Sequence, residues 1–592
     1  MRTEISIGVA LIFGTACFLQ GDDSETESLE QTQQRERLDR QALQLAAADD
    51  DRATTRRGPE SEFLAWLVER VPIPPAEIEQ RATVAHEKML TEFASVSVPP
   101  VVSDVMEQLY KSLSDEFLPA AKGYTITVLD SESIETTSPG GRFVEIGDRY
   151  LASLTEDAAT APDRVAFAIA HEMGHIVMGH CQRRHQLLWV TENLADRIAQ
   201  IDLKAAKTAL DELIDRAGSR VEFLMTAEED YEADLFAIHL CRNAGFKLEN
   251  SLDVVRDQVR RAPDVVDDHS SSDRALRRLR QLRREIDGIV TGDEFGLFRF
   301  HSDTEELTKL VDGSLVDVDD AVVFVHGMES SLETFGPMMR AFASESPRET
   351  RPELLGFQYP GNGSLARMSR FLQNELVRTG AKTPQFDFVC HSAGGLVVRT
   401  ATEVHAVPFR KAVFIATPHG GSDLRRLRPL LEARILTDAK SSYGRSMRSA
   451  ITAGRGQILN DLLPYSLFFS RLNGPDRVRP LEQYAVIRGR VLGGPESLLI
   501  RPALQIAHRK LSRKLGKTDR VRDSLIRQVG TEWVDMLEPP DELTDGDLAV
   551  TLSSAGLDGV HNTETFRLNH LQLPRDQRSF RAVARFLNEP NN

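Results

Sequence analysis

The sequence predicts two unrelated folded domains, a mainly helical one followed by an α/β domain with a mostly parallel sheet. Three observations predict this. The chain has 592 residues, too many for a single hydrophobic core. Helical periodicity runs from FLAWLVERV at Phe63 to about Ile289, broken by a strand-like pair. After Asp320 the runs AVVFVHG, FDFVCHS, KAVFIATP and EQYAVIRG are short and rich in β-branched and aromatic residues, and helical stretches separate them. No internal repeat relates the two halves.

An apolar share of 41% and a charged share of 27% are those of a globular chain. Acidic residues outnumber basic ones, 89 to 72, for a net charge of −17. This excludes nucleic acid as the main partner, since phosphates must be met by clustered Lys and Arg. The basic runs RALRRLRQLRR at Arg274 and RKLSRKLGK at Arg509 read as solvated helix faces, with an anionic membrane surface as the alternative. Four cysteines make no disulfide framework for this length.

The segments follow in order. Residues 1–20 contain an uncharged apolar run from Ile5 to Leu19, short for a membrane span but suited to a signal-peptide core. Cys17, after Gly14, Thr15 and Ala16, resembles a lipidated lipoprotein cysteine. A plain signal peptide, an uncleaved anchor and a buried helix are the alternatives. The first readings imply membrane association through the N-terminus and a cell-envelope location facing periplasm or exterior. Residues 21–60 are polar and read as a flexible tether, with partial helix as an alternative. Residues 61–290 form the helical domain, whose strand-like pair is YTITVLD, a turn at SPGG, and RFVEIG. Residues 291–320 read as a linker, and 321–592 as the α/β domain.

In AFAIAHEMGHIVMGHC, His171 and His175 lie four apart on one helix face, so both imidazoles reach one Zn2+ ion. Glu172 stands beside the water such an ion activates. A peptidase zinc site needs a third ligand, usually a carboxylate, and AEEDYEADLFAIHLCRNAGF at Ala227 offers several. These stretches resemble the HtpX-like, Oma-type and prenyl-protein-endopeptidase zinc metallopeptidases. That resemblance covers about residues 80 to 290 and implies a mainly helical, gluzincin-like fold acting on protein or peptide substrates. It places the family's glutamate ligand at Asp230, with Glu229 and Glu232 as alternatives. It also makes Asp234 an outer partner that orients a ligand, and sets His269 and Arg274 of DHSSSDRALRRL near the site.

FDFVCHSAGGLVVR reads as strand, tight turn and helix with Ser392 at the turn, the setting of a serine nucleophile. Cys390 stands where a glycine is usual. With AVVFVHGMESS and ATPHGGS, this segment resembles the lipase-like serine α/β-hydrolases, over about residues 318 to 590. The resemblance implies an oxyanion hole from the N–H groups of Met328 and Ala393, and an ester or lipid-like substrate. LTDGDLAVTLSSAGL and FRLNHLQL follow in the order acid, then base; the resemblance to bacterial lipases implies Asp547 as the acid, with Asp545 as rival, and His570 is the candidate base. His419 reads as a turn-packing residue. PYSLFFSRL at Pro464 is either cap-domain core or a lid. The expected function is a bifunctional cell-envelope hydrolase. The alternative is a serine lipase or esterase whose peptidase-like domain is an inactive binding module.

Overall fold

A computed structural model describes residues 29–44, 75–113, 117, 123–132, 134–182, 184–185, 229–261, 271–328, 330–345, 352–361, 363–422, 457–474, 479–491, 545–547 and 549–589. The expectations for the Ile5–Leu19 run, Cys17, Arg509 and His269 lie outside them. Among the described residues no helix is long and apolar enough to cross a membrane.

The first element corrects the tether. Leu29–Gln44 is a helix, α1, docked on the helical domain by charge and by Leu38 and Ala42, which pack on its apolar cluster. Arg35 Nε donates to Asp253 at 3.0 Å. The buried Arg256 donates to both carboxylate oxygens of Asp39, at 3.0 and 2.8 Å. Good helix formers with few apolar residues hide such a helix from a search for hydrophobic periodicity.

The helical domain is built on α2 (Pro75–Glu92), α3 (Pro100–Lys111), α4 (Asp148–Leu154) and α5 (Ala161–Val177). The helix 229–243, α6, α7 (Leu248–Arg261) and α8 (Ser271–Asp287) follow. Helix α5 is buried nearly all round, as its continuous apolar sequence requires. The side chain of Asp163 in its first turn accepts from Lys247 N and Asn250 Nδ2, at 2.8 and 2.7 Å, and so ties α5 to α7. A four-stranded sheet has the order β1-β2-β4-β3, with β1 at Ser95–Val96, β2 at Thr125–Leu129, β3 at Thr136–Gly140 and β4 at Phe143–Gly147. The expected turn is displaced: Ser138 and Pro139 belong to β3, and the chain reverses at Gly140 and Gly141, with φ of 103° and 61°, backbone that glycine tolerates. YTITVLD and RFVEIG still neighbour each other, but run parallel.

The second sheet corrects the linker. It has eight strands in the order β12-β11-β10-β9-β7-β8-β5-β6. Its edge is made by β5 (Gly296–His301) and β6 (Glu306–Lys309), an antiparallel pair within the expected linker. From β12 (Asn562–Phe566) through β11 (Tyr484–Gly489), β10 (Lys411–Ile415), β9 (Phe386–His391) and β7 (Ala321–Val325) to β8 (Glu353–Gln358) the pairing is parallel. The middle strands are buried on both faces, so they read as continuous apolar runs. One face carries α10 (Leu365–Thr379), α11 (Ala393–Arg399) and α12 (Leu467–Leu472), while the other carries α9 (Gly336–Glu345) and α13 (Gln577–Asn588).

Helix α12, within PYSLFFSRL, is core. Leu467, Phe468, Phe469 and Leu472 are buried, and Leu467 packs into the apolar cluster of the helical domain. Asn243 at the end of α6 donates to Leu467 O and Ser470 Oγ of this helix, at 3.2 and 3.1 Å. Asn374 of α10 donates to Asp287 O at the end of α8, at 2.9 Å. The two domains therefore share packed contacts.

Candidate functional site

Two sites emerge, each assembled from segments far apart in sequence. In the first, α5 presents His171 and His175 to α6. Nδ1 of His171 lies 2.8 Å from Asp234 Oδ1. A carboxylate only accepts, so Nδ1 carries the hydrogen and Nε2 is bare. His180 Nε2 lies 2.9 Å from Glu232 Oε2, which by the same logic leaves His180 Nδ1 to accept from His175 Nδ1, 3.0 Å away. His175 Nε2 is then bare as well. The two bare nitrogens stand 3.2 Å apart, and Asp230 Oδ1 is 3.7 Å from His175 Nε2.

Two lone pairs and a carboxylate converging without a hydrogen between them repel one another unless a cation sits among them. Ligand atoms about 2.0–2.2 Å from a tetrahedral zinc are separated by roughly 3.3–3.6 Å. The set therefore fits, a little wide on the aspartate side. The ligand atoms of His171, His175 and Asp230 all lie within 4.8 Å of one another. Of the alternatives, Glu229 pairs with Arg184 at 3.2 Å and Glu232 is engaged by His180.

Asp234 is buried, which would raise its pKa, but Arg278 grips both its oxygens at 2.7 Å and holds it well below the usual carboxylate range. Burial acts most strongly, lowering the pKa of His171, but the hydrogen bond it donates to Asp234 and the negative charges of Asp234 and Glu172 together outweigh it, so the net shift is upward. His175 is pushed far down by burial and by its imidazole neighbours, and stays neutral. Glu172 is raised by burial, the direction that suits a general base near neutral pH. These groups line a cleft of about 220 Å³ with Thr136, Thr137, Ser138, Tyr150 and Arg184.

Gly174 sets how closely α5 and α6 approach. A Cβ there would stand 2.9 Å from the Cα and the carbonyl oxygen of Ala233, so α5 and α6 meet backbone to backbone. Gly→Ala in a free helix gains about 1 kcal/mol. Here the sign should reverse: Gly174→Ala is expected to cost about 1–3 kcal/mol through overpacking. By moving Asp230 outward it should also weaken zinc binding about tenfold or more. Thermal melting and a competitive zinc titration check both.

The second site sits at the C-terminal ends of β7, β9 and β10. Ser392, between β9 and α11, has φ 53° and ψ −130°, a strained turn that lifts a side chain off the sheet. Its N–H bonds Ile415 O at 2.9 Å. Gly327, before Met328, packs against it, since a Cβ at 327 would lie 2.8 Å from Ser392 Cβ. Ala393 is the first residue of α11, so the two expected oxyanion donors lie on touching segments. Asp547 is buried, and its Oδ2 lies 2.8 Å from His570 Nδ1. Its rival Asp545 is exposed and pairs with Arg490 at 3.0 Å. His391 Nε2 is 3.0 Å from His570 O, which sets the Asp547–His570 pair beside the Ser392 turn. His419 is buried against Phe414, in keeping with turn packing.

Several contributors escaped the sequence reading. Arg278, one helical turn beyond Arg274, makes the contact on Asp234; the side chain of Arg274 lies outside the described residues. The arginine-rich run gave the signal, but its register could not be read from it. Tyr359 fixes the His-Gly turn, its N–H donating to His326 Nε2 at 3.2 Å and its hydroxyl to His326 O at 2.7 Å.

A two-domain hydrolase is the class this arrangement defines, a metallopeptidase-type cluster in the helical domain and a serine-type constellation in the α/β domain, and the chain is a hydrolase. Residues 119–286 match the family model of peptidase family M48. No curated protein matches the chain. Among solved structures it is similar to the mature lipase BlEst2 of Bacillus licheniformis, with 15% identity over 50% of this chain and 99% of that one and a TM-score of 0.29. It is also similar to the enol-lactonase of Burkholderia xenovorans, with 12% identity over 46% and 92% and a TM-score of 0.22.

Proposed function

We propose that the chain is a bifunctional hydrolase, a zinc-dependent endopeptidase of the HtpX-like and Oma-type kind joined to a serine esterase. The observation that carries the reading is that each centre is completed from far along the chain: Asp230 meets the paired histidines, and the Asp547–His570 pair meets the nucleophile turn. In the first centre His171, His175 and Asp230 would hold the metal, and zinc there would supply Lewis acidity toward water and the peptide carbonyl. Glu172 takes the proton of the attacking water and passes it to the leaving amine.

In the second, Ser392 Oγ attacks an ester carbonyl while His570 Nε2 takes its proton, with Asp547 fixing the imidazole through Nδ1. The N–H groups of Met328 and Ala393 receive the developing oxyanion. His570 then protonates the leaving alcohol, and a water deprotonated by His570 releases the acyl group. The apolar Ile5–Leu19 run supports an envelope location with substrates among proteins and acyl esters.

The test treats the centres separately. Purified protein should carry one zinc, and Glu172→Gln should keep that zinc while losing peptide cleavage. A fluorophosphonate probe should label the wild type and not Ser392→Ala. Protein that binds no zinc would favour a serine esterase whose helical domain serves as a binding module, a reading that the aspartate at 230 supports. Wild type that never labels would remove the serine half.

A further inference from the structure

Beside the nucleophile lies an imidazole that the serine mechanism leaves without a role. His391 ends β9, immediately before Ser392, and is almost wholly buried. Its Nε2 is 3.0 Å from the backbone carbonyl of His570, and the two rings are 4.7 Å apart between centroids. A carbonyl oxygen only accepts, so Nε2 carries the hydrogen. Burial, reinforced by the neighbouring His570, pushes the ring's pKa well below its ordinary value and keeps it neutral. Nδ1 is therefore a bare lone pair, and among the described residues nothing hydrogen-bonds it. On that side stands Gly327, whose Cβ position would be 3.3 Å from Nδ1.

A buried acceptor left unpaired is destabilising, and a leucine would fill this place without that penalty. What the imidazole provides is the single bond from Nε2–H to His570. That bond matters because of where the base sits. His570 lies in a turn after β12, and three hydrogen bonds fix it. Asp547 makes two, through Oδ2 to Nδ1 at 2.8 Å and through its carbonyl to the His570 N–H at 2.9 Å. Both come from the acid's own loop, so they would move together with the base. The third comes from the strand that leads into the nucleophile.

We propose that His391 is a positioning residue of the serine centre: its Nε2–H clamps the main chain of His570 and sets the separation of the acid–base pair from Ser392. The inference rests on the Ser392–Asp547–His570 reading above. The clamp acts on geometry alone and transfers no proton. A general base displaced by about 1 Å costs roughly 100-fold in rate, and substrate binding need not change.

The experiment uses the full chain with p-nitrophenyl butyrate and a fluorophosphonate probe, with melting curves for each variant. His391→Leu is expected to lose about 30- to 100-fold in kcat and in labelling rate, with KM within about threefold of wild type. His391→Gln places an amide N–H where Nε2–H stands and should recover to within about fivefold of wild type. His391→Asn, one methylene shorter, should not. A folded Leu variant within threefold of wild type overturns the proposal. If the Leu variant fails to fold, the Gln–Asn pair decides, and equal kcat values for those two overturn it. A wild type inert to both ester and probe sinks the triad reading itself, a result distinct from the failure of the clamp.

Discussion

Asp547→Asn is expected to lower kcat on a carboxylic ester by about 10⁴, with KM nearly unchanged and the fold intact. The size follows from which way the amide must point. Asp547 Oδ1 accepts the N–H groups of Ala549 and Val550 at 3.0 and 2.8 Å. In the asparagine variant the amide oxygen keeps those two donors, because an NH₂ group cannot accept them. The NH₂ then faces His570 Nδ1 and donates to it. That forces the hydrogen of the imidazole onto Nε2, where it can no longer take the proton of Ser392. Every hydrogen bond remains satisfied, so the melting temperature should stay within a few degrees. Asp545→Asn, on an exposed residue paired with Arg490, should leave kcat unchanged. A 547 variant that retains a tenth of wild-type kcat would remove this carboxylate from the mechanism.

What was legible in the sequence shares one property: the signal is local. The histidine pair repeats at the helical period within five residues, and the nucleophile turn writes strand, small residues and helix in one line. The acid and base were legible because chain order restricts them. Asp547 was separable from Asp545 only by neighbours, and burial separates them in the structure. The third ligand was reached through a family resemblance that expects glutamate. Gly174, inside the histidine motif, sets the approach of the helix that carries Asp230, a contact that the motif itself does not announce.

What was not legible depends on long-range partners. α1 looks like a tether because it has few apolar residues, and its charged anchors have partners, Asp253 and Arg256, over two hundred residues away. The β5–β6 edge looks like a linker because an antiparallel edge strand is half solvated and short, with weak patterning. PYSLFFSRL admits lid or core on composition alone. Its place was decided by Leu467, which packs in the other domain. The basic run at Arg274 reads as a solvated face, yet Arg278 and Arg280 on it are buried or nearly so.

Arg278→Met is expected to weaken zinc binding about 10- to 100-fold and to cost the apo protein about 3–5 kcal/mol. The guanidinium makes two 2.7 Å bonds to Asp234 and a third, at 2.9 Å, to Gln258. Methionine matches much of its length but none of its charge. Asp234 would then be a fully buried carboxylate with the His171 Nδ1–H as its remaining partner in this group. Such a charge is relieved in one of two ways. The carboxyl can take up a proton and stop fixing the tautomer of His171. Or His171 can become imidazolium, its Nε2 now carrying a hydrogen where the metal needs a lone pair. Both routes make zinc compete with a proton, so the loss of affinity should grow as pH falls.

The cycle with Asp234→Asn separates charge from orientation. In the double variant no buried charge is left unpaired, so stability should recover by most of what the arginine change costs. An amide oxygen at 234 can still accept from Nδ1, but with less pull on the imidazole, so zinc affinity should stay below wild type. Denaturant melts of the metal-free forms and zinc titrations at two pH values provide the four corners. If Arg278→Met binds zinc as tightly as wild type at both pH values, the Asp234–Arg278 pair does not tune the histidine ligand.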